Sequence, residues 1–145
     1  MLIGLLGGFV GGLAMGALVP LPDALCLALA TSLLREVGGS VFLLAWLLHE
    51  ITGGIIGAIF GTVVGRIHGM GKRFVGRELA LGLATGIIVW AGFFIPSMLA
   101  LVPSLLSGKL IVASFAAHIV FGLVLGGIVQ VISLPKYNPT EREPN

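Results

Sequence analysis

The stretches HEITGGIIG (49–57) and HIVFGLVLG (118–126) share one pattern: a histidine, a glycine four residues later, and a second glycine four residues after that. Residues four apart lie on the same face of an α-helix, so each histidine begins a stripe of glycines. The first stripe continues through Gly61 and Gly65. In the second, Ser114 precedes the histidine and Gln130 follows the last glycine. The pattern predicts two related helices that carry one imidazole each.

The composition around these helices is that of an integral membrane protein. Hydrophobic residues make up 57% of the 145 residues, charged residues make up 10%, and the mean hydropathy is +1.14. A membrane-spanning helix needs about 20 mostly apolar residues. Runs of that kind cover roughly 2–19, 40–64, 79–102 and 110–134. We therefore expect an all-α integral membrane protein, a single bundle of four transmembrane helices over residues 1–134.

Two further segments lie outside these runs. Residues 24–34 are apolar but too short to cross a bilayer, which predicts a short interfacial helix after the first span. Residues 135–145 contain several prolines and alternating charges, which predicts a disordered cytoplasmic tail.

The repeat extends beyond the histidines. The stretch GALVP (16–20) at the end of the first span is echoed by GFFIP (92–96) in the third. This favours two similar helix hairpins, with repeat units of about 1–65 and 79–134. Because each unit has an even number of spans, both units point the same way across the membrane. The second and fourth spans are then parallel, and His49 and His118 lie at similar depth in the outer half of the bilayer.

The distribution of basic residues predicts the orientation, because short loops rich in lysine and arginine stay in the cytoplasm. Six basic residues fall on one side of the predicted bundle: Arg66, Lys72, Arg73, Arg77, Lys136 and Arg142. Arg35 and Lys109 fall on the other side. We expect a multi-pass protein of the inner or plasma membrane with both termini cytoplasmic. The net charge of +2 then fits attraction to anionic lipid, and no nucleic-acid partner is expected.

Glycines at spacings of four predict close helix packing, because small residues let backbones approach each other within a membrane. The predicted packing glycines are Gly4, Gly8, Gly12, Gly16, Gly53, Gly57, Gly61, Gly65, Gly122 and Gly126. Such stripes serve contacts inside one chain or between copies. Besides the lipid bilayer, the expected partners are a second copy of the chain or other subunits of a membrane complex.

Three features of this pattern resemble a known group of proteins. They are the stretch VPLP (19–22) after the first span and the histidine that begins a small-residue run in the second and again in the fourth span. The chain is similar in these features to the small YagU-like inner-membrane proteins of bacteria, although its segment between the first two spans is shorter. The resemblance implies a four-helix membrane fold and no known catalytic residue.

Ionisable side chains inside a membrane are energetically costly and are candidates for function. They are His49, Glu50 and His118. Haem iron accepts axial imidazoles, so one hypothesis is a b-type haem between the two parallel helices, ligated by His49 and His118. The glycines one turn away would leave space for the flat ring. The aromatic residues expected around it are Trp90, Phe93, Phe94 and Phe121.

Several alternatives remain open at this point. The two histidines fit a purely structural role as neutral residues hydrogen-bonded across a helix interface. His49, Glu50 and His118 together suit zinc or non-haem iron, although the sequence offers no fourth ligand. A proton relay through the same residues would make the chain a transporter of ions, protons or small solutes. No phosphate-binding loop, nucleophile elbow or cysteine pair is present, so no catalytic residue is assigned and no enzyme is expected.

The sequence therefore favours a non-enzymatic structural or accessory component of a membrane assembly that carries a paired intramembrane histidine site. A haem-binding electron carrier is the first alternative, and a transporter is the second.

Overall fold

In the part of the chain that the structure describes, the regular structure is helical. The computed structural model describes residues 1–18, 39–68, 76–101, 103 and 106–133. Its helices are α1 (Leu2–Leu18), α2 (Gly39–His68), α3 (Arg77–Val89), a π-helical turn (Trp90–Phe94), α4 (Ile95–Leu101) and α5 (Gly108–Ser133). The prediction of an all-α protein is confirmed. The predicted helix at 24–34, the VPLP stretch (19–22), which includes the last two residues of GALVP, and the tail at 135–145 lie outside the described residues.

Among the described residues, three continuous helical segments are long and apolar enough to cross a membrane: Trp46–Ile67, Arg77–Ala100 and Gly108–Ile132. They correspond to the second, third and fourth predicted spans. Helix α1 is also apolar but has only 17 residues. At 1.5 Å per residue it is about 26 Å long, slightly less than the roughly 30 Å of a bilayer's hydrocarbon core. These lengths indicate a membrane protein.

Helices α1 and α5 form the centre of the bundle. Helix α1 packs along α2 on one side and along α5 on the other, and α3 packs along α5. Helices α2 and α3 scarcely touch each other. The buried apolar core lies where α1, α2 and α5 meet, and its residues are Met15, Phe60, Val64, Ala117, Phe121, Leu125 and Val129. The packing therefore leaves a gap between α2 and α3.

Glycines bring α1 and α2 into backbone contact. A Cβ atom built on Gly4 would lie 2.7 Å from Cα of Gly61, and one built on Gly8 would lie 3.0 Å from Cα of Gly57. No side chain larger than hydrogen fits at these positions without moving the helices apart. These glycines thus lie where the backbones of α1 and α2 come closest. Gly65 differs, because nothing lies within 4 Å of its Cβ position.

The pair α3 and α5 is packed in the same manner. A Cβ atom on Gly82 would lie 2.7 Å from Cα of Gly126, and one on Gly86 would lie 3.3 Å from Cα of Gly122. Gly82 and Gly86 were missing from the predicted set, although their spacing of four carries the same signal. The pairs α1–α2 and α3–α5 thus both pack through contacts between glycines.

A π-helical turn lets the third apolar segment continue past Pro96. Proline has no backbone N–H and its ring clashes with the carbonyl four residues earlier, which normally ends or kinks a helix. Here the N–H of Ile95 donates to the carbonyl of Trp90, five residues back. Such local widening re-satisfies backbone groups near proline in membrane helices. The turn also displaces the side chains of Trp90–Phe94 from ordinary α-helical positions.

Gly76 precedes α3 with φ at 91°, in the left-handed region that favours glycine. Its carbonyl accepts a hydrogen bond from the N–H of Ala80 at 2.9 Å. Glycine at this position therefore allows the positive φ from which α3 begins.

Candidate functional site

A cavity of about 500 Å³ lies where α2 and α3 diverge. Side chains of α1, α2 and α5 line it together with Val89 and the π-helical turn. Its aromatic wall consists of Trp46, Phe93, Phe94 and Phe121, and among the described lining residues the only ionisable side chains are His49 and His118. This size lies within the usual range of small-molecule and cofactor sites, about 300–1,000 Å³.

His118 is buried on α5 with a defined hydrogen bond. Its Nδ1 lies 2.8 Å from the backbone carbonyl oxygen of Ser114. A carbonyl oxygen only accepts, so Nδ1 carries the proton and donates it. In the neutral imidazole, Nε2 then keeps a free lone pair. In metal-binding histidines, the ring nitrogen that does not bind the metal commonly donates to a backbone carbonyl or a carboxylate, and this bond fixes the orientation of the ring. Nδ1 of His118 makes a bond of that kind.

The ring of His118 also packs against Phe94, with ring centroids 5.3 Å apart. Phe94 belongs to the π-helical turn. The turn therefore supplies part of the wall against which His118 is held.

Trp90 anchors the start of that turn to α5. Its Nε1–H donates to Oγ of Ser114 at 3.0 Å, and the Ser114 hydroxyl donates to the carbonyl of Ile111 at 3.0 Å. The Trp90 ring meets Phe115 edge-on, with centroids 4.9 Å apart. Trp90 thus faces α5 and is not among the residues that line the cavity, unlike Phe93, Phe94 and Phe121.

The variant Ser114→Ala is expected to lower the free energy of unfolding by about 0.6–2 kcal/mol, the range of polar contacts between membrane helices. The Trp90 N–H loses its acceptor, whereas the His118 bond to the backbone carbonyl remains. The measurement is unfolding in mixed micelles followed by circular dichroism. A double-mutant cycle with Trp90→Phe should show that the two substitutions are coupled. Thr85→Ala is the control, because the Thr85 hydroxyl bonds the Leu81 carbonyl in its own helix; equal losses would contradict the prediction.

His49 projects from α2 into the same cavity as His118. The structure therefore brings together the two residues that head the glycine stripes. Gly53 also lines the cavity, but Gly57, Gly122 and Gly126 are occupied by helix contacts and leave no space for a ligand.

Glu50 lies apart from this cavity. Successive residues on a helix point about 100° apart, and the Glu50 carboxyl group packs against Gly12 of α1, with Oε2 2.8 Å from the Cβ position of that glycine. Among the described residues, no three histidine, cysteine or acidic side chains are placed to hold a metal ion. The site of His49, Glu50 and His118 considered for zinc or non-haem iron is thus not assembled there.

The rim of the cavity faces outward from the bundle. Trp46 is 42% exposed and Phe93 is 60% exposed. Since these residues flank the gap between α2 and α3, the cavity opens sideways, toward the lipid of a surrounding bilayer. The sequence pattern gave no indication of this opening, because it follows from the absence of packing between two helices.

The cavity can hold a mostly apolar group, and His49 of α2 and His118 of α5 both line it. Comparisons of the chain with protein-family models, curated proteins and solved structures gave no match.

Proposed function

We propose that the chain is a four-span membrane protein made of two helix hairpins, with both termini in the cytoplasm. The pairing of α1 with α2 and of α3 with α5 through similar glycine contacts supports the two hairpins. The length of α1 is at the lower limit of a spanning helix. The concentration of basic residues between the second and third spans supports the orientation.

The function that the geometry supports best is binding of a b-type haem in the histidine cavity, which would make the protein an electron carrier. The observation that carries this proposal is the position of His49 and His118 on one aromatic cavity. Neutral imidazole is a common axial ligand of haem iron. No ionisable side chain other than these histidines lies among the described lining residues, which suits a macrocycle more than a path for ions.

In this proposal, the two histidines and the phenylalanines have different roles in holding the haem. His118 offers Nε2 as the ligand, and its hydrogen bond to the Ser114 carbonyl fixes the ring and makes Nε2 a better donor. His49 offers a second imidazole from α2. The phenylalanines exclude water, which affects the potential of any bound redox group. The haem itself would supply one-electron exchange.

The test is the visible spectrum of the protein, purified in mild detergent and titrated with hemin, before and after reduction by dithionite. The expected result is a saturable Soret band at one haem per chain, with a sharpened α-band on reduction. A titration without saturation, equal to that of empty detergent micelles, would overturn the proposal.

A second candidate is the accessory component of a membrane assembly that the sequence favoured. It is supported by one exposed apolar stripe of α2, formed by Leu43, Leu47, Ile51, Ile55 and Ile59. The stripe is placed to face lipid or a neighbouring helix. Reproducible co-purification of further subunits, lost when Ile51 and Ile55 are both replaced by threonine, would favour this function.

A further inference from the structure

The gap between α2 and α3 corresponds to a helix contact that is closed elsewhere in the bundle. The pairs α1–α2 and α3–α5 pack through similar glycine contacts, so an approximate two-fold rotation exchanges α1 with α3 and α2 with α5. The same rotation places the α1–α5 contact onto α3 and α2. Helices α1 and α5 pack along each other, whereas α2 and α3 scarcely touch. The cavity thus lies where the bundle departs from two-fold symmetry.

The glycine contacts fix which residues of α1 and α3 correspond. A Cβ atom built on Gly8 would lie 3.0 Å from Cα of Gly57, and one built on Gly86 would lie 3.3 Å from Cα of Gly122. Residue 86 of α3 therefore takes the place of residue 8 of α1. The neighbouring residues of the two helices correspond at the same offset.

The closed contact between α1 and α5 depends on two further glycines of α1. A Cβ atom on Gly7 would lie 3.0 Å from Cδ1 of Leu125, and one on Gly11 would lie 2.9 Å from Cδ2 of Phe121. A larger residue at either position would push these side chains of α5 away. Helix α5 therefore comes close because α1 has no side chains there.

Helix α3 carries β-branched residues at the two corresponding positions, Thr85 and Val89. Their side chains occupy the space that the glycines of α1 leave free, so α2 cannot approach α3 as closely as α5 approaches α1. Val89 lines the cavity, and so does Ile56, which corresponds on α2 to Phe121 of α5. The gap is therefore held open by side chains of α3.

We propose that this gap is a port through which the cavity takes up haem dissolved in the lipid bilayer, and that Thr85 and Val89 hold the port open. The gap runs between Trp46–Ile67 and Arg77–Ala100, two segments of membrane-spanning length, so lipid tails lie outside it. Haem is a flat and mostly apolar ring, which favours lipid over water. This inference rests on the proposed haem binding and names the lipid phase as the source of the haem.

The first test closes the port with a cross-link. Trp46→Cys and Phe93→Cys place thiols on the two rim residues, with Cys26→Ser to remove the native thiol. Haem-free protein is mixed with vesicles whose lipid carries hemin, and the Soret band is followed in time. Protein whose thiols are capped singly should take up haem, and protein joined by a short bis-maleimide should lose this uptake. Protein that is cross-linked after loading should keep its Soret band, because the site itself is intact.

A second cross-link is the matched control for the first. Leu79→Cys with Gly127→Cys joins α3 to α5, where the Cβ position of Gly127 lies 3.8 Å from Cδ1 of Leu79. This cross-link should leave uptake unchanged. Equal uptake by the capped protein and the protein cross-linked at the port would overturn the port and leave haem binding intact. Absence of a saturable Soret band in the wild type would overturn haem binding, and the port with it.

The second test leaves the rim unchanged and removes the two side chains that hold the port open. Thr85→Gly with Val89→Gly should let α2 move toward α3, which shortens the distance between spin labels on Ile51→Cys and Ile87→Cys and slows haem uptake. An unchanged distance or unchanged uptake would overturn the role of these side chains. The matched control places its glycines on the exposed face of the same helix and should change neither reading: Ala84→Gly with Ile88→Gly.

Discussion

A single methyl group added at Gly57 is expected to destabilise the protein, whereas the same group added at Gly65, about two turns further along α2, is expected to stabilise it. A Cβ atom at Gly57 would lie 2.7 Å from both Cα and N of Gly8 and would also meet the carbonyl oxygen of Gly4. At Gly65 nothing lies within 4 Å. Both variants add the same methyl group to the same helix. They differ in whether backbone atoms of α1 lie next to that group.

The magnitudes follow from two opposing effects. Overpacking costs about 1–3 kcal/mol, and at Gly57 it falls on backbone atoms that cannot rotate away. Alanine in a helix is favoured over glycine by up to about 1 kcal/mol. Gly57→Ala should therefore lose about 1–2 kcal/mol in net free energy of unfolding, and Gly65→Ala should gain up to about 1 kcal/mol.

The measurement is reversible unfolding in mixed micelles, monitored by circular dichroism, for both variants and the wild type. A corresponding pair exists in the other half of the bundle. Gly82 contacts Gly126 of α5, whereas nothing lies within 4 Å of the Cβ position of Gly92. Gly82→Ala should destabilise and Gly92→Ala should not. Effects of the same sign at the contacting and open positions would show that these glycines do not hold the helices together.

Sequence alone was enough to predict the helices, because lipid requires uninterrupted apolar segments whose backbone bonds are all internal. The glycine spacing points to faces where helices come close, and Gly4, Gly8 and Gly57 lie at such positions. The stripe extends beyond the contact, because a Cβ atom at Gly61 would meet α1 and one at Gly65 would have nothing within 4 Å. Spacing shows that a helix has a small-residue face and does not show how far a partner follows it.

The candidate site was harder to predict, because it depends on helix rotation and on an irregular turn. A register difference of one residue rotates a side chain by about 100°, and that step separates His49 in the cavity from Glu50 against α1. Trp90, the first residue of the π-helical turn, likewise lies against Ser114 and outside the predicted aromatic wall. Neither result follows from hydrophobic periodicity, because both depend on the neighbouring helices.

His118→Ala is expected to abolish saturable haem binding, because it removes the imidazole whose Nε2 the Ser114 carbonyl leaves free to bind iron. The loss should exceed the roughly 10–100-fold that changes to hydrogen-bond partners of a ligand cause. The measurement is the Soret absorbance of each variant titrated with hemin. His68→Ala, which removes an imidazole at the far end of α2, is the matched control and should bind as the wild type does.

A structural role for His118 would give a different pattern, and two further variants distinguish it from ligation. His118→Gln retains much of the side-chain volume and should keep the helical content and unfolding midpoint of the apoprotein while losing haem. His118→Met should still bind haem but with a raised midpoint potential, because replacing an axial imidazole by a thioether raises the potential of haem iron. If His118→Gln binds haem as tightly as the wild type, or if His118→Met leaves the potential unchanged, His118 is not a ligand. The importance of this cavity then lies in packing or in a protein partner.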